Sequence, residues 1–320
     1  MAHSNDDAGV RKALIAGIAA NFGVAVAKFV AFLFTRSAAM FAESLHSVAD
    51  SSNQFLLFVG IKLSRKAPTE SHPFGYAKER YFYSFVVALV IFLVGALVAI
   101  YEGVQKIRHP HPMENVAWNY GALAIGFLFE AFALRIAWRE FRHWRASSNE
   151  SLLQSLRTAK DLALPTVLFE DSAALVGLLA AAVGVTMTQV TGNGVYDGIA
   201  SIVIGMVLLG VSVFLTVESH SLLVGESASL DDRQRIRAVV QEDPAVLGLI
   251  ELLTLQRGPD SIVVALELHF ADHLTVDDVE DAVRRLEKKI GAVVPAASHV
   301  FIEAGSFRRR GSHDPAPEGT

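Results

Sequence analysis

Glu43, His46 and Asp50 lie in the stretch AESLHSVADSSNQ, residues 42–54, between the apolar runs SAAMF and FLLFVGI. On a helix, residues three, four and seven apart share a face. Glu43, His46, Ser47, Asp50, Asn53 and Gln54 therefore form one polar stripe, and Phe41, Leu45, Val48, Phe55, Leu56 and Phe58 cover the rest. His46 and Asp50 are one turn apart, so an imidazole nitrogen and a carboxylate oxygen can meet at one point. A divalent cation suits that point, since zinc takes nitrogen and oxygen donors in a tetrahedron at about 2.0–2.2 Å. One helix supplies two donors. A second apolar stretch, LPTVLFEDSAALVG, offers Glu170 and Asp171. A charge facing lipid is expensive, so both sets must face a bundle interior or a watery cavity. The plainer alternative is a buried His–Asp hydrogen bond without metal, with Asp171 capping a helix or pairing with Lys28.

The elements that must hold these residues are membrane helices. The chain has 320 residues, 52% hydrophobic and 19% charged, with positive mean hydropathy; soluble domains run near about 45–50% and about 25%. The excess sits in six apolar runs near 12–34, 38–61, 81–104, 116–138, 162–187 and 197–222. About 20 apolar residues span a bilayer core of roughly 30 Å as a helix, and in lipid an open strand leaves backbone groups unpaired. The segment MAHSNDDAGVRKA lacks the features of a cleaved signal peptide, so the first run is expected to be a retained helix. With the N-terminus inside, the inner side collects Arg11, Lys12, Lys62, Arg65, Lys66, Lys78 and Arg80, then Arg135, Arg139, Arg142, Arg145, Arg157 and Lys160. The outer side collects only Arg36, Lys106 and Arg108. That asymmetry predicts both termini in the cytoplasm.

The domain plan follows: an N-terminal tail at 1–10, a six-helix membrane domain at 11–225, a soluble domain at 226–306, and a disordered tail at 307–320. The soluble part reads αββαβ. Ile236, Val239 and Val240 have helical spacing; Ile262, Val264, Leu266, Leu268 and Phe270 alternate as on a strand; Val276, Val279, Val283, Leu286 and Ile290 form a helical stripe. There is no cysteine, which excludes disulfides, thiolate metal sites and cysteine nucleophiles. The net charge of −5 argues against nucleic acid as a partner. Asp197 reads as a helix N-cap after a Gly-rich turn, Glu130 as a proton-relay group or a partner for Lys28, and Gly121, Gly126, Gly205 and Gly210 as sites of close helix packing.

HSVAD resembles the HxxxD metal motif in the second helix of the cation diffusion facilitator family, and SHPFGYAKER resembles that family's HPFGHGKxE signature. With VLFEDSAALVG and VTGNGVYD, the resemblance is to the zinc transporter nine-like branch, and it covers about residues 11–306. It implies an α-helical polytopic membrane protein with six transmembrane helices and a C-terminal cytoplasmic, metallochaperone-like α+β domain that dimerises. His46 and Asp50 match the family's second-helix ligands, and Asp171 matches its fifth-helix aspartate. Four residues before Asp171 the family has His or Asp, where this chain has Val167. The fourth ligand is thus open: Glu170 is the first candidate, with Glu43, Glu130 or a water as alternatives. His72 matches a ligand of a peripheral site whose second histidine is Tyr76 here, so a plain loop histidine is the competing reading. Lys78 matches a lysine that pairs with an acid where the two domains join, and Glu226 is the nearest candidate. On the soluble domain, Glu267, His269 and Glu303 offer either a metal site or a solvated sheet face.

The implied activity is secondary active efflux of divalent metal from the cytoplasm by proton antiport. Each ligand must lose its proton to bind metal, so metal and protons compete for one site. No ATP-binding motif of the type GxxxxGK[ST] occurs. One histidine with several carboxylates favours Zn²⁺ and leaves Fe²⁺, Mn²⁺ and Co²⁺ open. The implied partners are a second copy of the chain, the metal, protons and a lipid bilayer, expected to be a bacterial inner membrane; no prosthetic cofactor is implied. Two alternatives stand: a membrane-anchored metal sensor without transport, and an intramembrane aspartyl protease built on Asp50 and Asp171, which lacks a GxGD motif.

Overall fold

A computed structural model describes residues 22–36, 38–110, 116–145 and 159–305. The apolar runs are helices: α1 (Phe22–Thr35), α2 (Ala38–Ser64), α3 (Glu79–Arg108), α4 (Val116–Arg145), α5 (Ala163–Thr191) and α6 (Val195–Val224). The start of the first predicted run, at 12–21, lies outside the described residues, as do the tails at 1–10 and 307–320. Among the described residues, α3, α6 and the central parts of α4 and α5 are each long and apolar enough to cross a membrane. Several helices outrun their apolar stretches. Helix α4 continues through the exposed Arg139 and Arg142, because helical hydrogen bonding persists where charged side chains meet water.

The chain divides into two compact units, Met1–Leu223 and Val224–Thr320. In the first, α2 packs against α3 and α5, and α4 packs against α5. Helix α3 carries a π-helical segment, Ile91–Ala96, between two α-helical stretches. A π turn inserts a residue and rotates the following face, which no apolar periodicity reveals. Small residues bring α3 against α6: a Cβ on Gly198 would lie 2.7 Å from the Gly103 carbonyl oxygen, and one on Gly205 would lie 2.9 Å from that of Ala96. Ser201 Oγ donates to the Ala99 carbonyl at 2.7 Å, and Ser212 Oγ to that of Ala88 at 2.8 Å, so both buried hydroxyls are satisfied across the same seam. Gly126 lies against Lys28, where a Cβ would come within 3.1 Å of Cε. Gly121 and Gly210 do not act as expected: both are exposed, with nothing within 4 Å of an added Cβ.

Asp197 is not an N-cap. Gly192, at φ 69°, ends α5, and the Asn193 side chain accepts from the Val195 amide, so α6 begins two residues earlier. Asp197 is consequently buried inside α6, with Oδ2 3.9 Å from Lys106 Nζ. Lys106, expected as a loop cation, is itself buried and donates to the Arg36 carbonyl at 3.0 Å.

The second unit runs α7 (Leu230–Gln241), β1 (Val246–Gly258), β2 (Ser261–Phe270), α8 (Val276–Val293), β3 (Ala297–Ala304). The sheet order is β1-β2-β3, antiparallel then parallel, and α8 makes the crossover that the parallel pair requires. Ser229 caps α7 and a Thr275–Asp278 capping box starts α8. Ile262, Val264, Leu266, Leu268 and Phe270 are all buried on one face of β2, against Leu286 and Ile290 of α8 and Ile236 and Val240 of α7. Val276, expected on the α8 stripe, is 75% exposed, because it is the first residue of the helix and lies beyond the sheet contact. Asp243 accepts from Arg285 Nε and Nη2 at 3.1 and 2.9 Å, tying the turn after α7 to α8. These hydrogen bonds hold its carboxyl below the usual carboxylate range.

Candidate metal-transport site

Helix α2 turns the polar stripe inward. Ser47, Asp50 and Asn53 are buried, while Val48 and Phe55 on the other side are 43% and 56% exposed. The backbone of α2 carries Glu43 and His46 at the same helical spacing, but their side chains lie outside the described residues. Asn53 Nδ2 donates to Glu170 Oε1 at 2.7 Å, with both residues buried. That bond ties α2 to α5 at the stripe. Glu170 therefore turns toward α2 although it is about 100° around α5 from Asp171.

The charges of Glu170, Glu130 and Asp171, and the opposite charge of Lys28, all act on Asp50. Carboxylates within range of one another in a low-dielectric interior repel strongly, and a dication or protons relieve that repulsion. Asp171 Oδ2 and Asn53 Oδ1 are buried without a hydrogen-bond partner among the described residues. Leaving such an oxygen unsatisfied costs about 1–3 kcal/mol, so both atoms suit a cation or a water. Lys28, fully buried on α1, donates to Ser47 Oγ at 2.9 Å and lies 3.9 Å from Glu130 Oε1 on α4. Of the two readings of Glu130, the approach to Lys28 is observed, and a part in proton movement is left open.

Among the described residues, no three His, Asp or Glu side chains are grouped closely enough to hold a metal ion. Val167, at the position where a fourth ligand was sought, packs on the apolar cluster of Ala137, Phe141 and Leu168. The bond from Asn53 to Glu170 is a link that sequence reasoning alone misses. The signal for Asn53 was its place on the stripe three residues after Asp50.

His72 is exposed on a turn. Its Nδ1 lies 3.0 Å from Ser71 Oγ and its ring stacks on Tyr76 at 4.5 Å, and among the described residues it belongs to no group of three or more His, Asp or Glu side chains placed to hold a metal. Lys78 donates to the Leu223 carbonyl at the end of α6, at 3.0 Å; Glu226 belongs to the other compact unit. Beside Lys78, Arg80 pairs with Asp161 at 2.6 Å and Tyr81 donates to the Lys160 carbonyl at 2.9 Å, joining the start of α3 to the entry of α5. In the second unit, Glu251, Glu267 and Glu303 stand opposite one another across all three strands. They line an open concavity of about 280 Å³ with Leu253 and Phe301. His269 Nδ1 lies 3.3 Å from the Gly305 carbonyl instead of joining them.

Residues 14–224 match the cation efflux transmembrane domain, and residues 228–304 match the cation efflux protein cytoplasmic domain. The chain is 35% identical over 243 residues to the Xenopus laevis protein named proton-coupled zinc antiporter SLC30A9, mitochondrial, covering 76% of this chain and 44% of the relative. It is 30% identical over 349 residues to metal tolerance protein C4 of Arabidopsis thaliana, covering 96% and 74%. It is 23% identical over 306 residues to the manganese efflux system protein MneP of Bacillus subtilis, covering 93% and 96%. The chain spans less than half the length of the SLC30A9 relatives it matches. A helical membrane domain carrying an inward acidic stripe, followed by an αββαβ domain, is thus matched over residues 14–224 and 228–304 by the two domains of one family: the chain belongs to the cation efflux, or cation diffusion facilitator, family.

Proposed function

We propose that this chain exports divalent metal from the cytoplasm by secondary active antiport with protons, with Zn²⁺ as the favoured cargo. The observation that carries the reading is the buried Asn53–Glu170 hydrogen bond at 2.7 Å, which turns the acidic faces of α2 and α5 toward each other beside Asp50. Asp50, Asp171 and His46 are the proposed ligands, with Glu170 as the fourth and Asn53 as its orienting amide. Metal arriving from the cytoplasm displaces protons from these groups, and protons arriving from the other side displace the metal. Alternating access follows from helices rocking about a mid-membrane site. The relative named a proton-coupled zinc antiporter supports both zinc and the coupling, and the relative named a manganese efflux protein keeps Mn²⁺ open; Fe²⁺ and Co²⁺ accept the same donors. The domain boundaries at 225 and 226 and a homodimer formed through the C-terminal unit belong to the same proposal, supported by the match to a cytoplasmic domain of cation efflux proteins. So do cytoplasmic termini and residence in a bacterial inner membrane, the former supported by the distribution of Lys and Arg. The Lys78–Glu226 pair would link the two domains, and His72 would at most be a weak peripheral ligand.

The test is flux of Zn²⁺, Mn²⁺, Fe²⁺ and Co²⁺ in turn into proteoliposomes holding a pH gradient. Gradient-driven movement of Zn²⁺ in preference to the others is expected. Movement of none of the four in folded, inserted protein would overturn the proposal in favour of a sensor.

A further inference from the structure

A lysine inside an apolar helix of a membrane domain is rare and costly unless something holds it. Lys28 is fully buried, donates to Ser47 on the polar stripe of α2, and stands 3.9 Å from Glu130 on α4. Gly126, one turn before Glu130, leaves room for its side chain: a Cβ there would come within 3.1 Å of Lys28 Cε. Three helices thus build a seat for one ammonium. The seat adjoins the acidic groups, since Ser47 is three residues from Asp50 on the same face and the Lys28 charge acts on Asp50. Glu130 in turn acts on Asp50, Glu170 and Asp171.

We propose that Lys28 is a permanent counter-cation of the transport site: it offsets the Glu130 carboxylate, which alone would make the site hold its divalent cargo too tightly. The inference rests on the metal-antiport reading and deepens it. A fixed positive charge beside the carboxylates repels a dication, while the carboxylates alone would bind it well and release it slowly. A carrier must release on every cycle, so a built-in cation trades affinity for turnover. Glu130 has the opposite effect on the field, and the two charges nearly cancel at a distance. Lys28 and Glu130 are positioning residues here, and neither is proposed to touch the metal.

The test uses the full chain in detergent for Zn²⁺ binding by calorimetry and in liposomes for flux, with Lys28→Met, Glu130→Gln and the double variant. Lys28→Met is expected to bind Zn²⁺ at least about tenfold tighter, from removing the repulsion between a unit charge and a dication in a low-dielectric interior, and to lower kcat together with KM. Glu130→Gln is expected to bind more weakly. The double variant, whose net charge equals that of the native pair, is expected to return to within about threefold of wild type, since two opposite charges are lost together. A structural role would weaken binding in both single variants, and that result overturns the inference. If Glu130 were a ligand, the double variant would stay weak, which also overturns it. Should Lys28→Met fail to fold, the double variant, which loses both charges of the pair, is compared with Glu130→Gln: affinity restored from the weak single variant supports the inference, and affinity as weak as in Glu130→Gln overturns it. Wild type that binds no Zn²⁺, Mn²⁺, Fe²⁺ or Co²⁺ would refute the transport reading itself, a failure separate from either pattern among the variants.

Discussion

Asn53→Leu removes the amide that donates to Glu170 while nearly conserving side-chain volume. The bond is 2.7 Å long and wholly buried, with Asn53 at 0% and Glu170 at 4% exposure. A hydrogen bond to a charged acceptor is worth about 1.5–3 kcal/mol in soluble proteins, but polar contacts between membrane helices average nearer ~0.6 and reach ~1.7. A loss of about 1–2 kcal/mol is therefore expected. At 1.4 kcal/mol per decade this is roughly a 5- to 30-fold rise in the dissociation constant for Zn²⁺, in keeping with the roughly 10- to 100-fold effect of groups that orient metal ligands. Calorimetry on the solubilised protein and the KM of liposome flux should agree, because the amide orients a binding group and takes no part in the helix motion. On a Glu170→Gln background, Asn53→Leu should add little, since its effect passes through Glu170. Unchanged affinity in folded Asn53→Leu, within about twofold of wild type, would refute the assignment of Glu170 as the fourth ligand.

Two further predictions concern the scaffold. Gly198→Ala should lower the melting temperature of the detergent-solubilised protein, because its Cβ would sit 2.7 Å from the Gly103 carbonyl oxygen; overpacking of this kind costs about 1–3 kcal/mol, and Gly121→Ala, with nothing within 4 Å, should leave the melt unchanged. Asp243→Asn should speed amide hydrogen exchange in α8 at neutral pH, through loss of about 1.5–3 kcal/mol of charge-assisted bonding to Arg285. Because the folded carboxyl is held below its unfolded value of about 3.9, this contribution is full above that pH and is lost as pH falls through the folded value. The gap between variant and wild type should therefore close in acid, and a gap that widens there would contradict the assignment.

The sequence made the helices legible because lipid permits so little else. It made the β2 face legible because Ile262 to Phe270 alternate without a break and are buried without a break. The polar stripe was legible for the same reason, since six polar residues at helical spacing have no place against lipid. What stayed hidden depends on rotation and on partners. The π segment at Ile91–Ala96 changes which face of α3 meets α6, and neither the Gly103–Gly198 approach nor the exposure of Gly121 and Gly210 has a local signature. Asp197 looked like a cap by its neighbours, but a start of α6 two residues earlier buried it beside Lys106. Glu170 was named as a ligand candidate without its tie to Asn53, because a bond between residues 117 positions apart leaves no local trace.

If metal and protons exchange at Asp50 and its neighbours, their movements are coupled and both depend on that carboxylate. The direct measurement records internal Zn²⁺ and internal pH together in liposomes, for wild type and Asp50→Asn. Zn²⁺ and protons are expected to move in opposite directions in wild type, with both movements lost in the variant. Zn²⁺ moving without any pH change, or moving as fast in Asp50→Asn, would contradict such an exchange.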